Sequence, residues 1–384
     1  MLHSNATRNT RREFLAAGAS LVGLGLVPGG ACAAPGTQAQ RPSSDADELD
    51  EGYARIAARF PDANFHASNH APMVAEVLFV LGRAERIEPW LDENLDDHVP
   101  GKPASEPIDP ARWRAALGRN ERFADWQAYF RNAFEEADWR TVLGTWVPRL
   151  APGLAGAATH GLIRSGHAAR ALAARENPIR KVELATGLAY WAASYVELPW
   201  DGTLALESSV SAAFAKVAPR RPELAPPEGN IVTGLRALQE TPSFRSVAGF
   251  VDPSEPERLL SESASVFARA YLRNPDRRIA FVHSITAPSA LRLLAPYLDA
   301  ESLRLGVRYA WQAAAGLYAV YGDPSGSAPA ESEPATVESI VARAVETGGT
   351  HTLKLTEACL REHALSRDAA LLLAADDAIR DARM

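Results

Sequence analysis

Nine histidines occur in the 384-residue chain, and four lie far apart inside apolar, helix-patterned runs: His70, His160, His283 and His351. Imidazole is the commonest side-chain metal ligand. Four of them drawn from distant segments would make a nitrogen-rich metal centre able to handle dioxygen. Each also has an ordinary reading as a hydrogen-bonded core residue. His66 stands four residues before His70, but Pro72 argues against a helix reaching back to it, so a local two-histidine site is not favoured. His160, Arg164 and His167 fall at i, i+4 and i+7, one stripe of a helix. His351 and Lys354 share a face at i, i+3, and the plain alternative for Lys354 is a surface lysine paired with Glu357. His98, in a charged loop, and His363 read as solvated.

These residues need helices to position them, and the sequence supplies little else. Val74, Val77, Leu78 and Leu81 sit at helical spacing in a run over 71–91, and an Ala-rich helix is expected over 154–174 with another over 179–196. Further helices are expected at 51–60, 111–136, 139–147, 208–216, 231–239, 255–272, 289–294, 302–321, 337–347, 350–363 and 368–383. Pro-rich loops separate them at 97–110, 198–230 and 322–336. Alternating apolar patterns are nearly absent. The expected fold is all-α, a single irregular multi-helix domain over 49–384 with long Pro-rich loops, after a Pro/Gly/Ser/Gln-rich linker at 34–48.

The N-terminus reads as a targeting segment. Thr10-Arg11-Arg12-Glu13-Phe14-Leu15 matches the twin-arginine export pattern. The apolar stretch 16–27 is shorter than the roughly 20 residues a permanent span needs, and Ala31-Cys32-Ala33 supplies small residues for cleavage after Ala33. Residues 1–33 are therefore expected to be a signal peptide read by the twin-arginine (Tat) export machinery. That route carries folded proteins, so a periplasmic or secreted protein loaded with its cofactor beforehand is expected, with no membrane span in the mature form.

Composition closes other routes. A formal charge of −7 gives no basic footprint for nucleic acid. Once Cys32 is removed only Cys359 remains, which excludes an intrachain disulfide, thiolate zinc and iron–sulfur centres. No Gly-x-Gly-x-x-Gly follows a strand, and there is no P-loop and no nucleophile elbow. An NADPH requirement stays open. A metal, if present, is held by nitrogen and oxygen.

The local strings carry more than the spacing does. Ser68-Asn69-His70, Pro152-Gly153-Leu154 leading into His160-Gly161-Leu162-Ile163-Arg164, the run 179–195 with Glu183 and Tyr190-Trp191, Val282-His283-Ser284-Ile285-Thr286, and His351-Thr352-Leu353-Lys354 through Cys359 occur in one order. Together they resemble the questin oxidase-like family over about residues 50–375. That resemblance implies a mono- or dioxygenase acting on an aromatic or quinone-like ring with dioxygen. It also implies non-haem iron, Fe(II), held by His70, His160, His283, His351 and a carboxylated Lys354. Arg164, His167 and Tyr190 are the expected catalytic or pocket residues, with Glu183 beside them. Trp191, Trp311 and Tyr318 are candidates to stack on an aromatic substrate, or plain core. Imidazole suits zinc as well as iron, so a zinc hydrolase on the same cluster is the alternative, and a non-catalytic helical binding protein with scattered histidines is a third.

Overall fold

A computed structural model describes residues 44–57, 62–63, 67–95, 103–219, 231–327 and 333–381. The expected signal peptide, most of the expected linker, His66 and His98 lie outside them. The described chain is helical: α1 (Ser44–Ala57), α2 (Ala71–Val80), α3 (Ile87–Asn94), α4 (Phe123–Glu136), α5 (Trp139–Leu150), α6 (His160–Ala174), α7 (Pro178–Ala193), α8 (Val210–Ala215), α9 (Ile231–Arg236), α10 (Pro256–Arg273), α11 (Arg278–Leu294), α12 (Ala300–Tyr321), α13 (Val337–Thr347), α14 (Thr350–Ser366) and α15 (Ala369–Ile379). Among the described residues the only sheet is a two-residue antiparallel pair, Asp62–Ala63 with Ala67–Ser68, just ahead of His70. No described helix is long and apolar enough to cross a membrane.

Several boundaries depart from the periodicity for local reasons. α1 begins at Ser44, inside the stretch read as linker. The run 71–91 breaks at Gly82, whose φ of +67° ends α2 and turns the chain into α3. The run 111–136 is two short 3₁₀ turns before α4. Pro288 made 289 look like a helix start, yet it sits inside α11, which begins ten residues earlier and carries His283.

The largest departure lies ahead of α6. Ala157, Ala158 and Thr159 are all left-handed, with φ of 47°, 53° and 69°. That conformation costs roughly 1–2 kcal/mol for each non-glycine residue. The helix therefore starts at His160 rather than at Leu154.

Four helices form a closed ring, α2 on α6, α6 on α11, α11 on α14 and α14 back on α2. Close approach is built in. A Cβ on Gly161 would meet the Trp191 Cα of α7 at 2.4 Å, and one on Gly166 would meet the Ala290 carbonyl of α11 at 2.7 Å. Two apolar cores flank the ring. The larger holds Trp126, Trp146, Leu162, Phe281 and Leu355, and the smaller holds Tyr53, Val74, Val77, Trp90 and Leu353. Leu353 and Leu355 thus face different cores, with Lys354 between them.

Candidate metal centre

Each of the four ring helices delivers one imidazole near its N-terminal end. His70 is the N-cap of α2, His160 opens α6, His283 lies in the second turn of α11, and His351 lies in the first turn of α14. Just ahead of His70, Asn69 Oδ1 accepts from the Ala71 N–H at 3.0 Å. The rings converge. Centroid separations are 4.9 Å for His70–His160, 4.7 Å for His160–His283, 5.5 Å for His283–His351 and 4.9 Å for His70–His351. The scattered histidines required by a non-catalytic packing role are not what the fold produces.

The tautomers can be assigned from the acceptors. His160 Nδ1 lies 2.7 Å from the Ala157 carbonyl, and His283 Nδ1 lies 2.7 Å from the Ile279 carbonyl. A carbonyl only accepts, so in each ring Nδ1–H is the donor and Nε2 carries a bare lone pair. The left-handed turn has a use here, because it aims the Ala157 carbonyl at His160. His70 Nε2 stands 2.8 Å from His160 Nε2 and can donate to it. His283 Nε2 also faces His160 Nε2, at 3.3 Å, and that contact joins two lone pairs. Burial, then the Lys354 charge, push His70, His160 and His351 well below the ordinary imidazole range and His283 down to about 3. Neutral rings leave no spare proton to bridge the pair.

Lys354 is fully buried, and its Nζ has no hydrogen-bond partner. The surface pairing with Glu357 is not formed; Glu357 is engaged by Arg170 and Arg361. Burial alone pushes the Lys354 ammonium down to about 7. Its charge acts on all four imidazoles, so it lies near each of them. His160 and His283 are 6% and 1% exposed, whereas His70 and His351 are partly open, so the cluster is accessible from the α2–α14 side.

The residue types and spacing fit a cation. Two nitrogens each about 2.0–2.1 Å from one ion stand about 3.0–3.4 Å apart at right-angle to tetrahedral openings, and the two Nε2 pairs measure 2.8 and 3.3 Å. Among the described residues no group of three or more His, Cys, Asp or Glu side chains is already arranged to hold a metal ion. In this structure His70 and His160 are close enough for a direct hydrogen bond.

The remaining expected residues lie around the cluster. Arg164 is locked to Glu183 by two bonds of 2.6 and 2.7 Å, and its Nη1 is buried without a partner. His167 Nδ1 lies 2.7 Å from Glu76 Oε2. Tyr190 Oη lies 2.7 Å from Ser68 Oγ, two residues before His70. Trp191 and Trp311 are core, the latter donating to the Val247 carbonyl. Tyr318 packs on Phe214. His363 is partly buried, with Nδ1 on the Asp368 carbonyl. Cys359 is buried and its thiol is pushed up by that burial, which makes it a poor nucleophile. Glu76, Arg170 and the Glu357–Arg361 pair were not singled out by sequence reasoning, although a glutamate inside the apolar run 71–80 was a visible signal.

An all-α protein with an imidazole-lined centre is the class that fold and site define. The Questin oxidase-like family model matches residues 67–359, well over half of the 384-residue chain, and spans all four histidines and Lys354. The chain belongs to the questin oxidase-like family, whose name is that of an oxidase. No curated protein matches it.

Proposed function

We propose that this protein is a metal-dependent oxidoreductase, a mono- or dioxygenase that oxidises an aromatic or quinone-like ring with non-haem iron. The observation that carries the reading is the His160–His283 contact, where two Nε2 lone pairs face each other at 3.3 Å among neutral rings. A cation removes that repulsion. His70, His160, His283 and His351 are its nitrogen ligands. Bound Fe(II) would supply the means to bind and reduce dioxygen; imidazole also accepts zinc.

The chain's own residues do the rest. The Ala157 and Ile279 carbonyls fix His160 and His283 in the tautomer that presents Nε2. A neutral Lys354 amine can add carbon dioxide, forming a C–N bond and releasing one proton, and the resulting carbamate gives an anionic oxygen beside the four imidazoles. Substrate enters on the α2–α14 side, where Tyr190 and Ser68 offer hydroxyls beside His70. His167 and Arg164, each held by a carboxylate, position the helices rather than touch substrate. The stretch 1–33 acts as a twin-arginine signal, giving a periplasmic or secreted protein that is folded and loaded before export.

The deciding experiment is elemental analysis of the purified chain, followed by reconstitution with Fe(II) and dioxygen-uptake measurements on hydroxylated aromatic and quinone rings, with and without NADPH. Iron near one per chain and ring-dependent uptake, both lost in His283→Ala, are expected. Zinc with no uptake moves the protein to the hydrolase alternative. No stoichiometric metal after reconstitution refutes the reading.

A further inference from the structure

Below the imidazoles, a second layer of polar side chains crosses the same four helices, six to eleven residues further along each. Glu76 follows His70 on α2, His167 and Arg170 follow His160 on α6, Ser289 and Arg292 follow His283 on α11, and Glu357, Arg361 and Glu362 follow His351 on α14. At 1.5 Å per residue this layer lies roughly 9–17 Å from the histidines. Because it follows the histidine on every helix, all four helices run in the same direction away from the cluster.

The layer is a continuous ionic chain. Arg170 grips Glu76 with bonds of 2.6 and 2.7 Å, and its other nitrogen pairs with Glu357, joining α2 to α6 and α6 to α14. Arg361 binds Glu357 at 2.9 Å and donates to the Ser289 carbonyl at 2.7 Å, joining α14 to α11. Arg292 forks onto Glu362 at 3.0 and 2.9 Å, with Ser289 Oγ donating to the same carboxylate at 3.0 Å. Two neighbouring pairs have no direct ionic link among the described residues: α6 and α11, whose backbones approach closely at Gly166, and α14 and α2, which are joined through Arg170 of α6. Glu76 and Glu362 are completely buried, and three carboxylates face three guanidiniums.

Such a layer is a poor way to gain stability, since apolar residues of similar volume usually do as well or better. What it does well is punish misregister. If one helix slides by a turn, about 5.4 Å, a buried charge is left unpaired. Metal–nitrogen bonds tolerate only about 0.2 Å, so four ligands on four separate helices need such a constraint.

We propose that the Glu76–Arg170–Glu357–Arg361–Glu362–Arg292 chain is a register device that sets the spacing of the four imidazoles. It rests on the metal-centre reading above. These are positioning residues; none touches the cluster.

The test uses the purified chain with Co(II) as the probe. Arg170→Met and Glu357→Gln each break the layer. Arg170→Lys keeps the charge but loses the fork. Arg278→Met is the control, because Arg278 ties α11 to Asp377 of α15, outside the ring, with bonds of 2.6 and 2.9 Å. Expected are Co(II) affinity reduced about tenfold or more and shifted ligand-field bands in Arg170→Met and Glu357→Gln, with partial recovery in Arg170→Lys. Arg278→Met should bind as wild type despite a lower melting temperature. Wild-type affinity and bands in Glu357→Gln and both Arg170 variants overturn the proposal, as does loss of affinity in simple proportion to melting temperature across all variants. Should Arg170→Met not fold, Arg170→Lys and Glu357→Gln decide. If wild type takes up no Co(II), the metal reading fails separately. The layer is then judged on imidazole ¹⁵N shifts of the metal-free protein: loss of the His160 and His283 Nδ1–H tautomers in the layer variants but not in Arg278→Met supports it, and retention in all overturns it.

Discussion

Replacing Lys354 with methionine should push stability and metal binding in opposite directions. The lysine is fully buried with an unpartnered Nζ, and burial brings its ammonium from 10.5 to about 7. In the unfolded chain the amine stays protonated up to about 10.5. Between pH 7 and 10.5 the unfolded state therefore binds the extra proton, and stability of the metal-free wild type rises with pH across that window. Below pH 7 both states are protonated and the penalty is complete. At about 1.4 kcal/mol per pH unit it amounts to roughly 5 kcal/mol. Lys354→Met keeps the chain length, removes the charge and abolishes that slope. The metal-free variant should be more stable than wild type at pH 7 by a few kcal/mol, with the two curves converging near pH 10. Urea denaturation of both metal-free proteins at pH 7, 8, 9 and 10 measures this, and metal uptake by the same samples should be greatly weakened in the variant. A variant less stable than wild type at pH 7, or a flat wild-type profile, would refute the reasoning, because either means Nζ has a partner in the fold.

Gly161→Ala should destabilise by about 1–3 kcal/mol and weaken metal binding as well, because its Cβ would stand 2.4 Å from the Trp191 Cα and drive α6, with His160, away from α7; calorimetry and metal titration read the two effects. Ala158→Gly removes a left-handed alanine (φ 53°) and should leave stability unchanged or raise it by up to about 1 kcal/mol, whereas Ala158→Val, β-branched at the same φ, should lose more than about 1 kcal/mol; equal melting temperatures for the two variants would count against the strained turn. Glu76 and Glu357 are each pushed up by burial but pulled further down by Arg170, with His167 aiding the first and Arg361 the second, so both fold with carboxyls below the ordinary range. Their contribution is present above the unfolded value of about 4.5 and is lost as pH falls below it, so acid denaturation should shift toward neutral pH in Arg170→Met, as followed by circular dichroism.

The all-α class was legible because apolar spacing of three and four recurs in nearly every segment while alternation is almost absent. The four histidines were legible as a set through their flanking strings, and the fold brings them within 5.5 Å of their ring neighbours. What periodicity missed has local causes. Pro288 hid the first half of α11, since proline reads as a start although a neighbouring helix can accommodate it inside one. Three non-glycine residues in a left-handed turn have no composition signal, so Ala157-Ala158-Thr159 read as helix. His167 and Arg164 stood out as buried polar groups on one stripe that need partners; those partners, Glu76 and Glu183, are on other helices, and the pairing is invisible in a single sequence. The surface alternative for Lys354 looked plausible for the same reason: Glu357 stood at the right spacing, but Arg170 from α6 claims it.

His70 and His351 belong to segments about 280 positions apart, and their rings lie 4.9 Å from each other. Bringing them together closes a long loop, and the chain entropy lost in doing so is offset by contacts formed elsewhere in the fold. A half-made chain offers an ion at most one or two of these imidazoles. If the centre takes a metal as proposed, capture doubles as an assembly check: only a polypeptide that includes α14 and has docked it onto α2 presents all four imidazoles together.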